Sequence, residues 1–372
     1  MPSLSRRRCL HALAGAVTAP VLVPFTNASA NPSPREQETL AAIVEAYLKQ
    51  SHAPALSVAF AKGGQLLYSA AFGMADAERG EKVTTEDRFR IASVSKSITS
   101  VAIYLLIEQG RLKLDDKVFR DVLALDIGKV ASPEVANITL HQLLTHTGGG
   151  WGNKLNDPMF KHPEMNHAEL INDTLQTRPL DSAPGKAYAY SNFGYCVLGR
   201  VIEKITGKPY ANYVQEHVLA PCGIKDMQIA GSTLAERAYQ EVVYLGQDGQ
   251  KPYGMNIRRL DSHGGWMATP TALVKFLTHV DGFGGTPDIL QPATLTTMTT
   301  PTVANPNYAS GLAVNAVPNW WHGGSLPGTS SFIARTASGM CWAGVTNSRS
   351  TKDPSLDKLM WRMAKAVPAW KA

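Results

Sequence analysis

The 372-residue sequence predicts an α+β fold in which one antiparallel sheet is built from both ends of the chain, flanked by helices, with a mainly helical lobe inserted between them. Three observations carry that expectation. Strand patterns cluster early, from Leu56 to Phe72, and return late, from Tyr308 to Thr346, whereas the stretch between reads as helices separated by loops rich in Gly, Pro, Asn and Asp. With 44% hydrophobic and 18% charged residues, the chain also has the apolar material for a large core.

Taken in order, Leu40, Ile43, Val44, Tyr47 and Leu48 recur at helical spacing, so a helix is expected from Arg35 to Gln50. Strands follow at Leu56 to Ala61 and Leu66 to Phe72, joined through Gly63-Gly64, a hairpin signal. Helices are expected at Ser95 to Gln109, Leu140 to Thr145, Phe193 to Thr206, Tyr210 to Leu219 and Thr271 to Val280. Late strands fall at Tyr308 to Val314, Ser331 to Thr336 and Met340 to Thr346, and a helix from Ser355 to Ala366 closes the chain. Residues 31–88 and 300–372 would then form the α/β lobe and residues 89–299 the helical lobe, with a site in the crevice between them.

Residues 1–30 stand apart from the fold. Arg6, Arg7 and Arg8 precede a mostly apolar run from Leu10 to Val23, and Ala28-Ser29-Ala30 supplies small residues before a cleavage point that leaves Asn31 first. The run is shorter than the roughly 20 residues a membrane-crossing helix needs, so an export signal is expected and no stable membrane span after its removal. Ser5-Arg6-Arg7-Arg8-Cys9-Leu10 is also compatible with twin-arginine export, which places the protein in the periplasm or outside the cell. Losing three arginines takes the formal charge from +6 to +3, and no Lys/Arg block of five or more remains, so a nucleic-acid partner is not expected. Cys196, Cys222 and Cys341 are widely spaced in apolar contexts, an odd set that reads as buried thiols rather than a disulfide framework. His162 and His167 are closely spaced, but no HExxH or CxxC accompanies them, and no metal is assigned.

Three segments carry the chemistry. In Ser93-Val94-Ser95-Lys96, at the start of a helix, the first hydroxyl and the amine three residues on share a helix face and can meet. The helix N-terminus favours an oxyanion and disfavours a protonated lysine. Ser95 would face elsewhere. In Tyr188-Ala189-Tyr190-Ser191-Asn192, directly before another helix, a phenol near amines can serve as a general base and the Asn192 amide can bind a carbonyl or fix the lysine. In His322-Gly323-Gly324-Ser325, two glycines let a substrate approach a strand edge, and the Ser325 N–H can donate to an oxyanion. Each segment alone also fits a structural role: a helix cap, a packed turn aromatic, a glycine-rich hairpin.

In that order the segments resemble SxxK, YxN and an HxG variant of KTG, the motifs of the serine β-lactamase, DD-peptidase and family VIII esterase superfamily. The likeness extends from about Leu40 to Asn347 through Leu143-Leu144-Thr145-His146-Thr147-Gly148-Gly149 and Gly264-Gly265-Trp266. It implies a β-lactamase/transpeptidase-like fold with Ser93 as nucleophile, Lys96 and Tyr190 exchanging its proton, and Asn192, His322, Gly323, Gly324 and Ser325 around the substrate. It also implies an oxyanion hole from the N–H groups of Ser93 and Ser325, and no cofactor. His322 stands where many members carry a lysine that anchors a carboxylate. A histidine is mostly neutral at pH 7, so efficient β-lactam hydrolysis is not expected, and D-amino-acid peptides or esters are the favoured substrates, peptidoglycan fragments among them. Arg349 is a candidate replacement for that cation. A slow-deacylating penicillin sensor or a non-catalytic cell-wall binder remains the alternative. An α/β-hydrolase elbow fails because Gly323-Gly324-Ser325-Leu326-Pro327 ends in proline, and no Gly-Lys pair is followed by Ser or Thr as a phosphate loop requires.

Overall fold

Alternating side chains along two neighbouring strands explain how the molecule is layered. In β1 (Ala55–Lys62) Leu56, Val58 and Phe60 face one hydrophobic core, whereas Ala55, Ala59 and Ala61 face a second. A strand buried on both faces belongs in the middle of a covered sheet. The computed structural model describes residues 31–154, 156–349 and 355–372, and the expected export signal lies outside them.

Helix α1 (Pro34–Ser51) is capped by Ser33, which exchanges hydrogen bonds with Glu36. Strand β2 (Gln65–Asp76) returns on β1 through Gly63 and Gly64, whose φ of +56° and +77° are the left-handed values a tight two-residue hairpin needs. Short strands β3 (Glu81–Lys82) and β4 (Phe89–Arg90) lead to α2 (Ser95–Glu108). The helical lobe continues with α3 (Leu140–Leu144), α4 (His167–Thr177), α5 (Asn192–Thr206) and α6 (Tyr210–Val214). Strand β5 (Gln228–Ile229), helix α7 (Asp261–Gly264), strand β6 (Trp266–Ala268) and helices α8 (Pro270–Thr278) and α9 (Pro292–Thr299) follow. Then come β7 (Ala313–Val314), β8 (Trp320–Leu326), β9 (Thr329–Arg335), β10 (Met340–Thr346) and α10 (Leu356–Lys365).

The main sheet runs β3-β2-β1-β10-β9-β8-β7, and every pairing is antiparallel, so the first long strand meets the last across the middle. Helices α1 and α10 cover one face, where Leu40, Val44, Met360 and Met363 join Phe60 and Trp342. Helix α8 covers β1 and β10 on the other face, although it belongs to the stretch expected in the helical lobe. A second sheet, β4-β6-β5, ties the chain before the SxxK segment to the far side of the helical lobe.

The expected strand from Tyr308 to Val314 shortens to Ala313–Val314, because the Tyr308 ring turns into a buried aromatic cluster instead. Strand β7 pairs with Trp320 and Trp321 only, so His322 to Leu326 form an outer sheet edge among the described residues. Cys196, Cys222 and Cys341 are free and buried. No helix among the described residues is long and apolar enough to cross a membrane.

Candidate active site

The loop before α2 has an unusual backbone. Ala92 adopts φ +46°, in the left-handed region that side chains rarely enter, and this turn delivers Ser93 to the start of α2. Strand β8 presses against that loop. A Cβ on Gly324 would lie 2.1 Å from Ser331 Oγ and 2.3 Å from the Ile91 carbonyl oxygen, so only glycine lets the strand approach so closely. Two hydroxyls pin the loop to the sheet: Ser331 Oγ donates to Ile91 O at 2.6 Å and Thr329 Oγ1 to Arg90 O at 2.9 Å.

Lys96, one helical turn beyond Ser93, is fully buried. Its Nζ lies 3.0 Å from Ser93 Oγ, 2.7 Å from Asn192 Oδ1 and 3.0 Å from the His263 carbonyl oxygen. Desolvation lowers its pKa to about 7, against a weaker pull upward from Asp157. The three partners fix how a neutral amine must sit. Two are carbonyl oxygens that can only accept, so they take its two hydrogens, and its lone pair is left facing the one partner with a proton to give, Ser93.

Asn192 owes its orientation to Asp157. Its Nδ2 donates to Asp157 Oδ2 at 2.7 Å, which turns Oδ1 toward Lys96. Its backbone N–H donates to Asn153 Oδ1 at 2.8 Å. Sequence reasoning missed Asp157, Asn153 and the His263 carbonyl, since a loop carboxylate and a main-chain oxygen carry no motif.

Tyr190 closes the group. Lys96 Nζ lies 4.7 Å from the centre of its ring. Burial raises its phenol well above the ordinary value, a hydrogen bond with Ser93 opposing the shift. That environment holds the phenol protonated, so the phenolate considered from sequence is disfavoured and Lys96 is the better base.

His322 occupies a different position from the one expected of a substrate contact. Burial lowers its pKa to about 3, and both ring nitrogens are engaged within the protein. Nδ1 lies 2.7 Å from Gly323 O, an acceptor only, so Nδ1 carries the proton and Nε2 accepts from the Tyr308 hydroxyl at 3.0 Å. Tyr308 in turn lies 3.2 Å from His146 Nε2, and His146 Nδ1 accepts from the Ser191 N–H at 3.1 Å. The chain of donors is self-consistent with both imidazoles neutral. It leaves His322 no nitrogen for a substrate carboxylate.

Ser93, Asp157, Tyr190, Asn192, Gly323 and Ser325 border a cavity of about 440 Å³. Arg349 also lines it, with Nη1 3.5 Å from Ser325 Oγ and Nε 3.1 Å from Gln250 Oε1. Ser95 is fully buried and lies off this wall, as do His322 and Gly324. A larger cleft of about 780 Å³, lined by Asp76, Glu81, Arg237 and Tyr239 among others, contains none of the motif residues. Among the described residues no cluster of three or more His, Cys, Asp or Glu side chains is placed to hold a metal ion.

Residues 40–364 match the Beta-lactamase family model. Protein flp of Staphylococcus aureus is 29% identical over 192 residues, which is 51% of this chain and 37% of that protein. Esterase EstB of Burkholderia gladioli is 33% identical over 176 residues, 45% of this chain and 44% of its own length. The chain thus spans less than half the length of either curated relative. The octameric penicillin-binding protein homologue from Pyrococcus abyssi superposes with a TM-score of 0.74 at 23% identity, covering 89% of this chain and 77% of that one. D-amino acid amidase from Ochrobactrum anthropi SV3 superposes with a TM-score of 0.74 at 22% identity, over 91% of this chain and 100% of its own. Both are likenesses of fold.

Proposed function

We propose, from the premise that this chain belongs to the beta-lactamase family, that it is an exported serine hydrolase that forms an acyl-enzyme on Ser93 and cleaves amides or peptides of D-amino acids, or carboxylic esters. The observation that carries the proposal is the buried amine of Lys96, 3.0 Å from Ser93 Oγ with its hydrogens committed elsewhere. As Ser93 Oγ attacks a carbonyl carbon, Lys96 Nζ takes the hydroxyl proton. The oxyanion is received by the backbone N–H groups of Ser93 and Ser325, whose residues both line the cavity. The Tyr190 phenol then protonates the leaving nitrogen or oxygen and recovers a proton from Lys96, which leaves an ester on Ser93. Water attacks that ester as Tyr190 takes the water's proton and passes its own to Lys96, which then protonates the departing Ser93 Oγ.

A D-aminoacyl substrate fits the fold of D-amino acid amidase, and an ester fits the partial likeness to esterase EstB. With His322 neutral and enclosed, Arg349 is the cation on the cavity wall suited to a substrate carboxylate. Export rests on the arginine-rich, apolar, small-residue pattern of residues 1–30.

Hydrolysis of p-nitrophenyl butyrate, D-Ala-D-Ala peptide and nitrocefin by the purified protein, with intact-mass detection of an adduct, tests the assignment. Ser93→Ala and Lys96→Ala should each remove at least about 10³ of the ester rate. Turnover kept by Ser93→Ala would overturn the assignment. A lasting adduct without turnover would replace the hydrolase by a stalled penicillin sensor.

A further inference from the structure

Asp157 is the anionic side chain on the cavity wall, and the lysine it faces loses its charge as pH rises through about 7. Its two oxygens each accept one N–H: Oδ1 from the Met159 backbone at 3.0 Å and Oδ2 from Asn192 Nδ2 at 2.7 Å. A carboxylate has about four lone-pair sites, so each oxygen keeps one free. Both bonds come from N–H donors, the pattern of an ionised carboxyl; burial raises its pKa, and these two bonds with the charges of Lys96 and Arg178 oppose that rise. Phe160, three residues along the same short turn, lines the same cavity and is 46% exposed. The wall beside the nucleophile thus pairs an anion that has spare acceptor capacity with an exposed aromatic ring.

We infer that Asp157 and Phe160 form a subsite for an α-ammonium group and the apolar side chain beside it, so that the preferred substrates are amides or esters of amino acids with a free amino group. The inference rests on the hydrolase assignment for its biological sense, but recognition precedes chemistry and can be read without it. Ammonium and carboxylate attract in a partly desolvated cleft, an aromatic face adds to that attraction, and Lys96 imposes no competing repulsion once it loses its proton above about pH 7. An N-acylated substrate would offer a neutral amide there and lose the charge pair. Selectivity would favour unblocked aminoacyl compounds over internal peptide bonds or acylated fragments.

The test is calorimetric titration of the mature chain carrying Ser93→Ala with D-phenylalanine amide and with N-acetyl-D-phenylalanine amide. The free amine should bind at least about tenfold more tightly, and adding Asp157→Asn, which keeps an acceptor for Asn192 but removes the charge, should bring the ratio close to one. Equal affinities in the parent, including no measurable binding of either, would overturn the subsite, as would a ratio that survives Asp157→Asn. Hydrolysis of either D-phenylalanine amide or p-nitrophenyl butyrate by the unmutated protein is measured separately. Its absence would remove the hydrolase assignment and leave the binding ratio to stand on its own.

Discussion

The Asn192 amide bridges Lys96 and Asp157, with Oδ1 2.7 Å from the amine and Nδ2 2.7 Å from the carboxylate. Because a carboxylate can only accept, it dictates which end of the amide meets the lysine. A surface loop thereby sets the direction of the lone pair that faces Ser93 Oγ.

The first expected outcome concerns pH. With Lys96 as the proposed base, catalysis requires it uncharged, so kcat/KM for p-nitrophenyl butyrate should rise with pH through an acid limb at about 7. Asn192→Asp would put an anion beside the amine, favour its charged form and move that limb upward by about 1 unit or more. A pH–rate profile of both proteins checks the shift. An unmoved limb would assign it to another group.

Stability should follow the same amine with the opposite emphasis. Folding lowers the Lys96 pKa from 10.5 to about 7, so the unfolded chain binds the extra proton between those values. This group's penalty is therefore full below about pH 7 and is relieved as pH rises from about 7 toward 10.5. Lys96→Met should accordingly unfold at higher urea than the parent at pH 7, and the gap should narrow by pH 9.

Gly324→Ala tests the close approach of β8 to the nucleophile loop. The added methyl would meet the Ile91 backbone oxygen at 2.3 Å, and a backbone atom cannot swing aside as a long side chain does. A loss of about 1–3 kcal/mol is expected in urea unfolding, together with a fall in ester turnover larger than that change in stability explains. Normal activity would mean that the strand can retreat without cost.

Tyr308→Phe removes the hydroxyl between two neutral imidazoles. His146 Nε2 and His322 Nε2 would both lose a partner in a buried place, each orphaned group costing about 1–3 kcal/mol. A lowered Tm is expected, with ester kcat/KM falling far less than in Lys96→Ala.

Arg90→Ala should be among the most damaging changes outside the site. The side chain is 1% exposed, lies 4.3 Å from the centre of the Tyr244 ring and 3.9 Å from the buried Glu241, and its loss takes the cation from that carboxylate and the donors from the Pro252 and Gly231 carbonyls. About 3–5 kcal/mol is expected in chemical unfolding.

Much of this was legible in the residues. Helix α1, the Gly63-Gly64 hairpin, α2, α5 and β10 lie within a residue or so of where periodicity and turn chemistry placed them, because a single strong pattern governs each. Helices α4 and α9 escaped notice. The first is opened by an Asn166 capping box with a weakly apolar face, and the second is built from threonines with low helix propensity. Within the site, Ser93 and Lys96 meet because SxxK sets them one helical turn apart, whereas Asn192 reaches Lys96 from 96 positions away, a meeting that only the family resemblance implied. The enclosure of His322 could not be read, because it depends on Tyr308 and His146 arriving from 14 and 176 positions away in sequence. Asp157 likewise matters only once folding sets it beside Asn192, 35 residues on.

Strand β1 pairs with β10 across the centre of the sheet, and β8 supplies the edge that faces Ser93. The hydroxyl, the amine and the phenol are thus all synthesised long before the edge that completes their pocket. A ribosome-bound or C-terminally clipped chain would hold every reactive side chain and still lack the opposite bank of the cleft. The pocket is therefore complete only once β8 to β10 have docked on β1.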